Sequence, residues 1–278
     1  MVPRTLFAAL VDDAALFPPG NAPMDQALKE HAAVRPTSRS DLVGPFLCPA
    51  SRVTELRAHL PADESIRLAV VFDVSGEDAH AALRASAADE TLQLVGVEAS
   101  AARLGADAAT VGRNLTRLPG VTGALEVPRA GFEEALSLVG GDGWAVAKYR
   151  TGGTTADAFP SETELAAFLV AAVAQGVAVK LTAGLHHATR GTDAASGFEH
   201  HGVLNVLVAT RVAQGGGAVE DVAAVLAQRA APALVEFVAG WDESTCGDVR
   251  ATFRSFGCCG VHDPLDELAS LGLLAEAS

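Results

Sequence analysis

The chain has 278 residues, of which 49% are hydrophobic and 19% charged, and its formal net charge at pH 7 is −14. This composition supports a large apolar core and excludes the pattern of a disordered protein. The negative charge and the lack of a basic stripe argue against nucleic acid or an anionic membrane as a partner. No apolar stretch approaches the roughly 20 residues of a membrane-spanning helix, so we expect a small-molecule partner.

The cysteines and the N-terminal sequence indicate in which cellular compartment the protein is expected. The four cysteines have the spacing of neither a disulfide framework nor a zinc knuckle. An acidic pair interrupts the short apolar run near the N-terminus, which is unlike a secretory signal. We therefore expect reduced thiols and a cytoplasmic location. The cysteines are Cys48, Cys246, Cys258 and Cys259.

Short apolar runs alternate with amphipathic stretches along the chain. The apolar runs predict strands at Thr5–Val11, Val43–Cys48, Ile66–Asp73, Leu92–Glu98, Gly123–Val127, Trp144–Arg150 and Val177–Thr182, with a weaker eighth at Ala233–Val238. The amphipathic stretches predict helices at Met24–Val34, Ser51–Leu60, Glu77–Ala87, Asp107–Leu118, Gly131–Val139 and Ser161–Ala174. Ser161 and Glu164 have the spacing of a capping box at the start of the last helix.

The region after Leu185 is less regular. It predicts a loop at Gly191–Glu199 and helices at His201–Gln214, Val219–Arg229 and Asp263–Leu274, with Asp263 as the N-cap of the last. Gly240–Cys259 has no assignment.

Alternation of strands and helices is typical of βαβ units and a parallel sheet. Eight units would close a (β/α)₈ barrel of about 250 residues. The competing open doubly wound sheet usually has a glycine-rich phosphate loop after its first strand, and this chain has none there. We predict a single α/β domain of the TIM-barrel type over residues 1–278, with residues 240–278 as a C-terminal extension packing on it.

The chain has 17 arginines but only three lysines, and two of the lysines occupy matching positions in consecutive predicted strands. Lys148 lies in WAVAKYRTGG and Lys180 in VAVKLTAGLHH. Unlike arginine, lysine can lose its proton and become a nucleophilic amine. In a barrel, the carboxyl ends of the strands carry the active site. The two lysines therefore predict a reaction site.

Charged side chains also end the two preceding strands, in positions where a barrel normally has Val, Ile or Leu. With Lys148 and Lys180, Glu98 and Glu126 complete a polar group that is either a set of ion pairs or a catalytic site. If catalytic, Lys148 would form an imine, with its pKa depressed by the cations Lys180 and Arg150. Glu98 or Glu126 would move protons through a water molecule.

These two lysine segments, AKYRTGG and VKLTAGL, resemble class I aldolases of the deoxyribose-phosphate type. That family carries its imine-forming lysine on the sixth barrel strand and a second lysine on the seventh. The resemblance implies that Lys148 forms the imine and that Lys180 tunes its pKa. Glu98 and Glu126 stand where that family has an aspartate and a further lysine.

Several residues near the predicted strand ends are suited to binding an anionic substrate. Arg150 offers a guanidinium fork, and a glycine-rich turn after it offers backbone N–H groups. A loop of sequence FPPG, close to the first strand, would cover the same mouth. The predicted substrate-binding residues are Arg150, Gly152, Gly153, Thr182, His186, His187 and Asp12.

Four of the eight histidines lie within 16 residues, as the pairs His186-His187 and His200-His201. Two of them with a carboxylate (Glu98, Glu126 or Asp12) could hold Zn²⁺, Mn²⁺ or Fe²⁺. Their alternative role is in solvated loops or as hydrogen-bond donors to the substrate.

The function predicted first is a lyase of the aldolase type that acts on a small anionic carbonyl compound and needs no cofactor. One alternative is a metal-dependent lyase or hydrolase with His186, His187 and His200 as ligands and His201 beside them. The other is a non-catalytic binding barrel. The Ala- and Leu-rich helices also allow a homo-oligomer.

Overall fold

The computed structural model describes residues 2–74, 77–100, 118–142, 145–194 and 196–274. Its centre is a closed barrel of parallel strands, which confirms the predicted α/β barrel. Strands neighbour each other in chain order, and the last pairs with both the first and the seventh barrel strand. The barrel strands are β1 Val11–Asp13, β2 Val43–Pro49, β3 Ile66–Val71, β4 Leu92–Ser100, β5 Thr122–Glu126, β6 Ala145–Arg150, β7 Val179–Thr182 and β10 Phe253–Cys258. A two-stranded antiparallel ribbon, β8 Gly191–Thr192 and β9 Glu199–His200, lies between β7 and β10 in the chain.

Helices surround this barrel. They are α1 Met24–Val34, α2 Val53–His59, α3 Glu77–Ala88, α4 Phe132–Asp142, α5 Glu162–Ala174, α6 Val203–Gln214, α7 Val219–Leu226, α8 Ala231–Ala239, α9 Glu243–Thr252 and α10 His262–Ser270. No single helix in these ranges is long and apolar enough to cross a membrane, although α7 and α8, bent by 118°, would pass that test as a pair.

The core lies between the outer face of the barrel and these helices. Helix α5 starts with the predicted capping box, in which Ser161 Oγ accepts a hydrogen bond from the Glu164 N–H at 3.3 Å. Its residue Phe168 is fully buried and stacks on Tyr149 of β6, with ring centroids 4.3 Å apart. Full burial of an apolar side chain contributes about 1.5–3 kcal/mol. Tyr149 therefore anchors the outward face of β6, and the alternate residue Lys148 points into the barrel.

The structure corrects the predictions for the first and the last barrel strand. The first strand is Val11–Asp13, and the residues predicted for it begin with a 3₁₀ turn at Arg4–Leu6. The predicted eighth strand, Ala233–Val238, is wrong because it lies inside helix α8. The eighth barrel strand is β10, from the stretch that had no assignment. Since β10 closes the barrel, Phe253–Cys258 of the predicted extension 240–278 belong to the barrel itself.

The remaining differences are smaller. The ribbon β8–β9 occupies the predicted loop Gly191–Glu199. The helix predicted from Asp263 begins at His262, with Val261 as its N-cap. The helix predicted at Asp107–Leu118 lies outside the described residues except for its last residue.

Candidate active site

Six ionisable side chains, alternately acidic and basic, form a continuous row from the barrel interior to its mouth, which we call the charge row. Lys180 Nζ lies 2.5 Å from Asp12 Oδ2 and also donates a hydrogen bond to Glu98 Oε1. The other Glu98 oxygen, Oε2, lies 2.8 Å from Lys148 Nζ. Lys148 Nζ is 3.3 Å from Glu126 Oε2, and Arg150 Nε donates to Glu126 Oε1 at 3.1 Å. In order, the row is Asp12, Lys180, Glu98, Lys148, Glu126 and Arg150.

Strand register brings these side chains together. Lys148 of β6 is the pairing partner of Lys180 of β7, and Glu126 of β5 is the partner of Lys148. Paired residues of neighbouring strands present their side chains on the same face of the sheet. The predicted grouping of Glu98, Glu126, Lys148 and Lys180 is therefore present in the fold.

Burial and charge set the pKa values of the row. Burial alone would raise the pKa of Glu98, but Lys148 and Lys180 outweigh it and lower that pKa to about 2. Burial would lower the pKa of Lys180, and the carboxylates of Asp12 and Glu98 reverse this and raise it. Asp12 differs, because its burial outweighs the attraction of Lys180 and raises its pKa. Glu98 and Lys180 thus remain charged near neutral pH.

A cavity of about 570 Å³ opens at the carboxyl ends of the strands, where barrel enzymes have their active sites. Lys148, Glu98 and Glu126 belong to its lining, and the predicted FPPG loop contributes Phe17, Pro18 and Pro19 to it. Lys180 and Asp12 border a second cavity, of about 850 Å³, at the opposite end, and Glu98 borders both. Lys148 is therefore the lysine that a molecule in the first cavity contacts.

Four of the predicted substrate-binding residues line this cavity: Arg150, Gly153, Thr182 and His186. Three others do not. Asp12 borders the cavity at the opposite end of the barrel, where it contacts Lys180. Gly152 packs against the backbone of the next loop, since a Cβ on it would lie 2.6 Å from the Gly184 Cα. His187 points elsewhere, with Nδ1 2.8 Å from Glu267 Oε1.

The histidines separate into different environments. His186 faces two cysteines, with Nδ1 3.5 Å from Cys258 Sγ and Nε2 3.6 Å from Cys259 Sγ. His201 is fully buried, and its Nε2–H donates to the Pro160 carbonyl at 2.8 Å. Burial lowers the His201 pKa to about 4. His201 therefore has a structural role, and His186 is the histidine of the cavity.

The predicted metal ligands His186, His187 and His200 do not form one group. The rings of His187 and His200 are neighbours, with centroids 5.8 Å apart. The third member of their group is Asp193, to which the sequence analysis assigned no role. His186 stays with the cysteines.

Sequence reasoning also missed Ser255 of β10, whose Oγ donates to Asp12 Oδ2 at 2.8 Å. Its segment FRSFGC does not alternate regularly, because Phe253 and Phe256 are three residues apart and the strand register shifts between Phe253 and Ser255. This segment had no strand assignment, so the serine could not be placed on the barrel's inner face.

Comparison of the chain with protein-family models, with curated proteins and with solved structures gave no match. A barrel supports many unrelated reactions, so its presence does not specify one. We therefore derive a function from the chemistry of the site.

Proposed function

We propose that the protein is a carbon–carbon lyase of the aldolase type, which acts on a small anionic carbonyl compound through an imine on Lys148. One observation carries this proposal: the amine of Lys148 lies in the lining of the carboxyl-end cavity, within 3.3 Å of two carboxylates. A lysine there has the nucleophile and the proton acceptors that imine chemistry needs.

Imine formation needs Lys148 as a free amine, and its neighbours in the charge row determine where its proton goes. Its nearest charged neighbours are carboxylates: Glu98 lies between it and Lys180, and Glu126 lies between it and Arg150. Lys180 shares the Glu98 carboxylate with Lys148, with one lysine on each oxygen. Burial would raise the pKa of Glu126, but Lys148 and Arg150 outweigh it and lower that pKa, so this partly exposed carboxylate passes the Lys148 proton on to water in the cavity and does not keep it.

The proposed reaction also uses Glu126 and Arg150. The Lys148 amine attacks the carbonyl carbon, and protonation of the resulting hydroxyl lets it leave as water and gives an iminium. Loss of the β-hydroxyl proton then breaks the bond between the α and β carbons: an aldehyde leaves, and the electron pair of the broken bond forms an enamine. Protonation of the enamine and hydrolysis by water release the second product and regenerate Lys148. Glu126 returns or removes protons through a water molecule. Arg150, whose side chain is 45% exposed, is free to turn from Glu126 towards an anionic group of the substrate.

Exchange of substrate α-protons with solvent tests this chemistry without knowledge of the full substrate. Imine formation acidifies these protons, so we expect the protein to exchange them in D₂O for at least one of pyruvate, hydroxyacetone, acetaldehyde and glycolaldehyde, followed by NMR. Lys148→Ala should abolish the exchange. Lys29→Ala, which removes an exposed lysine of α1, is the matched control and should retain it.

Equal exchange by the wild type and by Lys148→Ala would contradict the proposal. In that case the charge row would be a set of structural ion pairs, as in the non-catalytic barrel considered from the sequence.

A further inference from the structure

Three side chains outside the cavity converge on one point: His187, Asp193 and His200. One nitrogen or oxygen from each lies within 4.8 Å of the other two. His187 Nε2 lies 3.7 Å from Asp193 Oδ1. None of the three lines the carboxyl-end cavity. They therefore form a separate group, which we call the ribbon site.

Asp193 is oriented by its own turn. Its Oδ2 accepts hydrogen bonds from the N–H and the hydroxyl of Ser196, both at 2.7 Å. Its main-chain carbonyl accepts from the Gly197 N–H at 2.8 Å. These bonds fix the carboxylate and leave Oδ1 directed towards His187.

His187 is oriented by a second carboxylate. Its Nδ1 lies 2.8 Å from Glu267 Oε1, which holds the proton on Nδ1 and leaves a lone pair on Nε2. Glu267 is itself fixed, because its Oε2 accepts from the Ala188 N–H at 2.7 Å. Metal-binding histidines in proteins usually have this arrangement, with the second ring nitrogen bonded to a carboxylate.

His200 supplies the observation that points to a ligand. It is only 7% exposed, and neither of its ring nitrogens has a hydrogen-bond partner among the described residues. Its ring stacks on Phe159, with centroids 4.7 Å apart and planes 17° apart, which fixes its orientation. A buried polar atom without a partner is unfavourable, and a bound cation would satisfy one of these nitrogens.

We propose that the ribbon site binds a divalent transition-metal ion through His187, Asp193 and His200. Two imidazoles and one carboxylate suit Zn²⁺ or Fe²⁺, whereas Mg²⁺ and Ca²⁺ prefer oxygen ligands alone. Three protein ligands leave at least one coordination position open, and His187, 32% exposed, provides access from solvent. The ion would fasten the β8–β9 ribbon to the loop after β7.

Metal titration of the chelator-treated full chain tests this proposal. We expect saturable binding of one Co²⁺ per chain, visible by its d–d absorption, with displacement by Zn²⁺ and none by Mg²⁺. His200→Ala and Asp193→Asn should abolish the saturable signal. His59→Ala, which removes an exposed histidine bonded to its own helix, is the matched control and should bind as the wild type does.

Glu267→Gln tests the orientation of His187 and should weaken binding by roughly 10- to 100-fold, as loss of an outer-shell partner does. Asp193→Asn retains an amide oxygen for the Ser196 bonds, so it keeps the test valid if His200→Ala does not fold. Wild-type protein without saturable binding, or equal binding by Asp193→Asn, would overturn the proposal. Lys148→Ala should bind the metal as the wild type does, so the metal titration can fail or succeed independently of the α-proton exchange experiment.

Discussion

The Glu98 carboxylate binds two ammonium groups, one through each oxygen, in a part of the barrel from which water is largely excluded. Burying such ions costs several kcal/mol each, and their mutual attraction offsets this only while every partner is present. Glu98 adds little net stability compared with an apolar residue. Its removal, however, leaves two buried cations with one carboxylate fewer.

Glu98→Gln should therefore lower the free energy of unfolding by about 3–5 kcal/mol, the range for breaking a buried ion pair. Glu55→Gln, which breaks the surface pair with Arg52, should cost less than about 1 kcal/mol. Urea denaturation measures both. Equal losses would mean that Glu98 is far better hydrated than its burial indicates.

Glu126 differs from Glu98 because it borders only the carboxyl-end cavity and is partly exposed. We expect Glu126→Gln to fold normally and to slow α-proton exchange by about 10²- to 10⁴-fold, the usual contribution of a general acid–base group. Glu133→Gln, an exposed change on α4, serves as the control and should have no effect on the rate. Unchanged exchange in Glu126→Gln would assign proton transfer to another group.

The loops after β6 and β7 touch through glycine backbones beside the site. A Cβ on Gly184 would lie 2.6 Å from the Thr151 carbonyl oxygen, and Gly184 has a φ of +74°. Both the positive φ and the close approach require glycine. This contact fixes the glycine-rich turn that carries Gly153 into the cavity.

Gly184→Ala should therefore destabilise the protein through two effects, whereas Gly176→Ala should show only one. Gly176 has a φ of +66° with nothing near its Cβ position, so alanine there meets only the backbone penalty of about 1–2 kcal/mol. The clash at Gly184 should add about 1–3 kcal/mol, as overpacking does. Thermal unfolding of the two variants measures the difference, and equal transition temperatures would show that the loops separate without cost.

The sequence indicated six of the eight barrel strands because their apolar runs alternate with amphipathic stretches. It failed at β1, where only three residues pair and two of them are aspartates, and at β10, where arginine, serine and glycine interrupt the apolar pattern. The run Ala233–Val238 is equally suited to a buried helix face, and periodicity cannot separate the two. The depth of Asp12 in the barrel was also unpredictable, because it depends on register across β1 and β10.

The same limits apply to the candidate site. Alternation along the strands was enough to group Lys148, Lys180, Glu98 and Glu126. The pairing of Asp193 with His187 was not accessible, because it requires the fold of the β8–β9 ribbon over the end of β7.

Stability against acid follows from the Glu98 pKa. The Glu98 pKa is about 2 in the folded chain, whereas an unperturbed glutamate has a pKa of about 4.3, so the ionised form stabilises the fold. This contribution is complete above the unfolded value and disappears as the pH falls towards 2. The raised pKa of Asp12 has the opposite effect on stability. Folding favours the protonated carboxyl of Asp12, so its ionisation at higher pH destabilises the fold.

We therefore expect the stability difference between the wild type and Glu98→Gln to shrink as the pH falls from about 5 to about 2. Asp12 is present in both proteins, but the Glu98 charge helps to raise its pKa, so the difference reports Glu98 together with its effect on Asp12. Denaturation in urea at several pH values measures it. A difference that stays constant with pH would contradict the assignment of an ionised Glu98.

The whole molecule has three lysines, which makes its amine chemistry unusually easy to resolve. Borohydride trapping with a panel of small aldehydes and ketones, followed by intact mass and peptide mapping, separates Lys29, Lys148 and Lys180 in one experiment. The proposed function predicts a reduced adduct on Lys148 that is absent from Lys148→Ala. Adducts on no lysine across the panel, or only on the exposed Lys29, would contradict it.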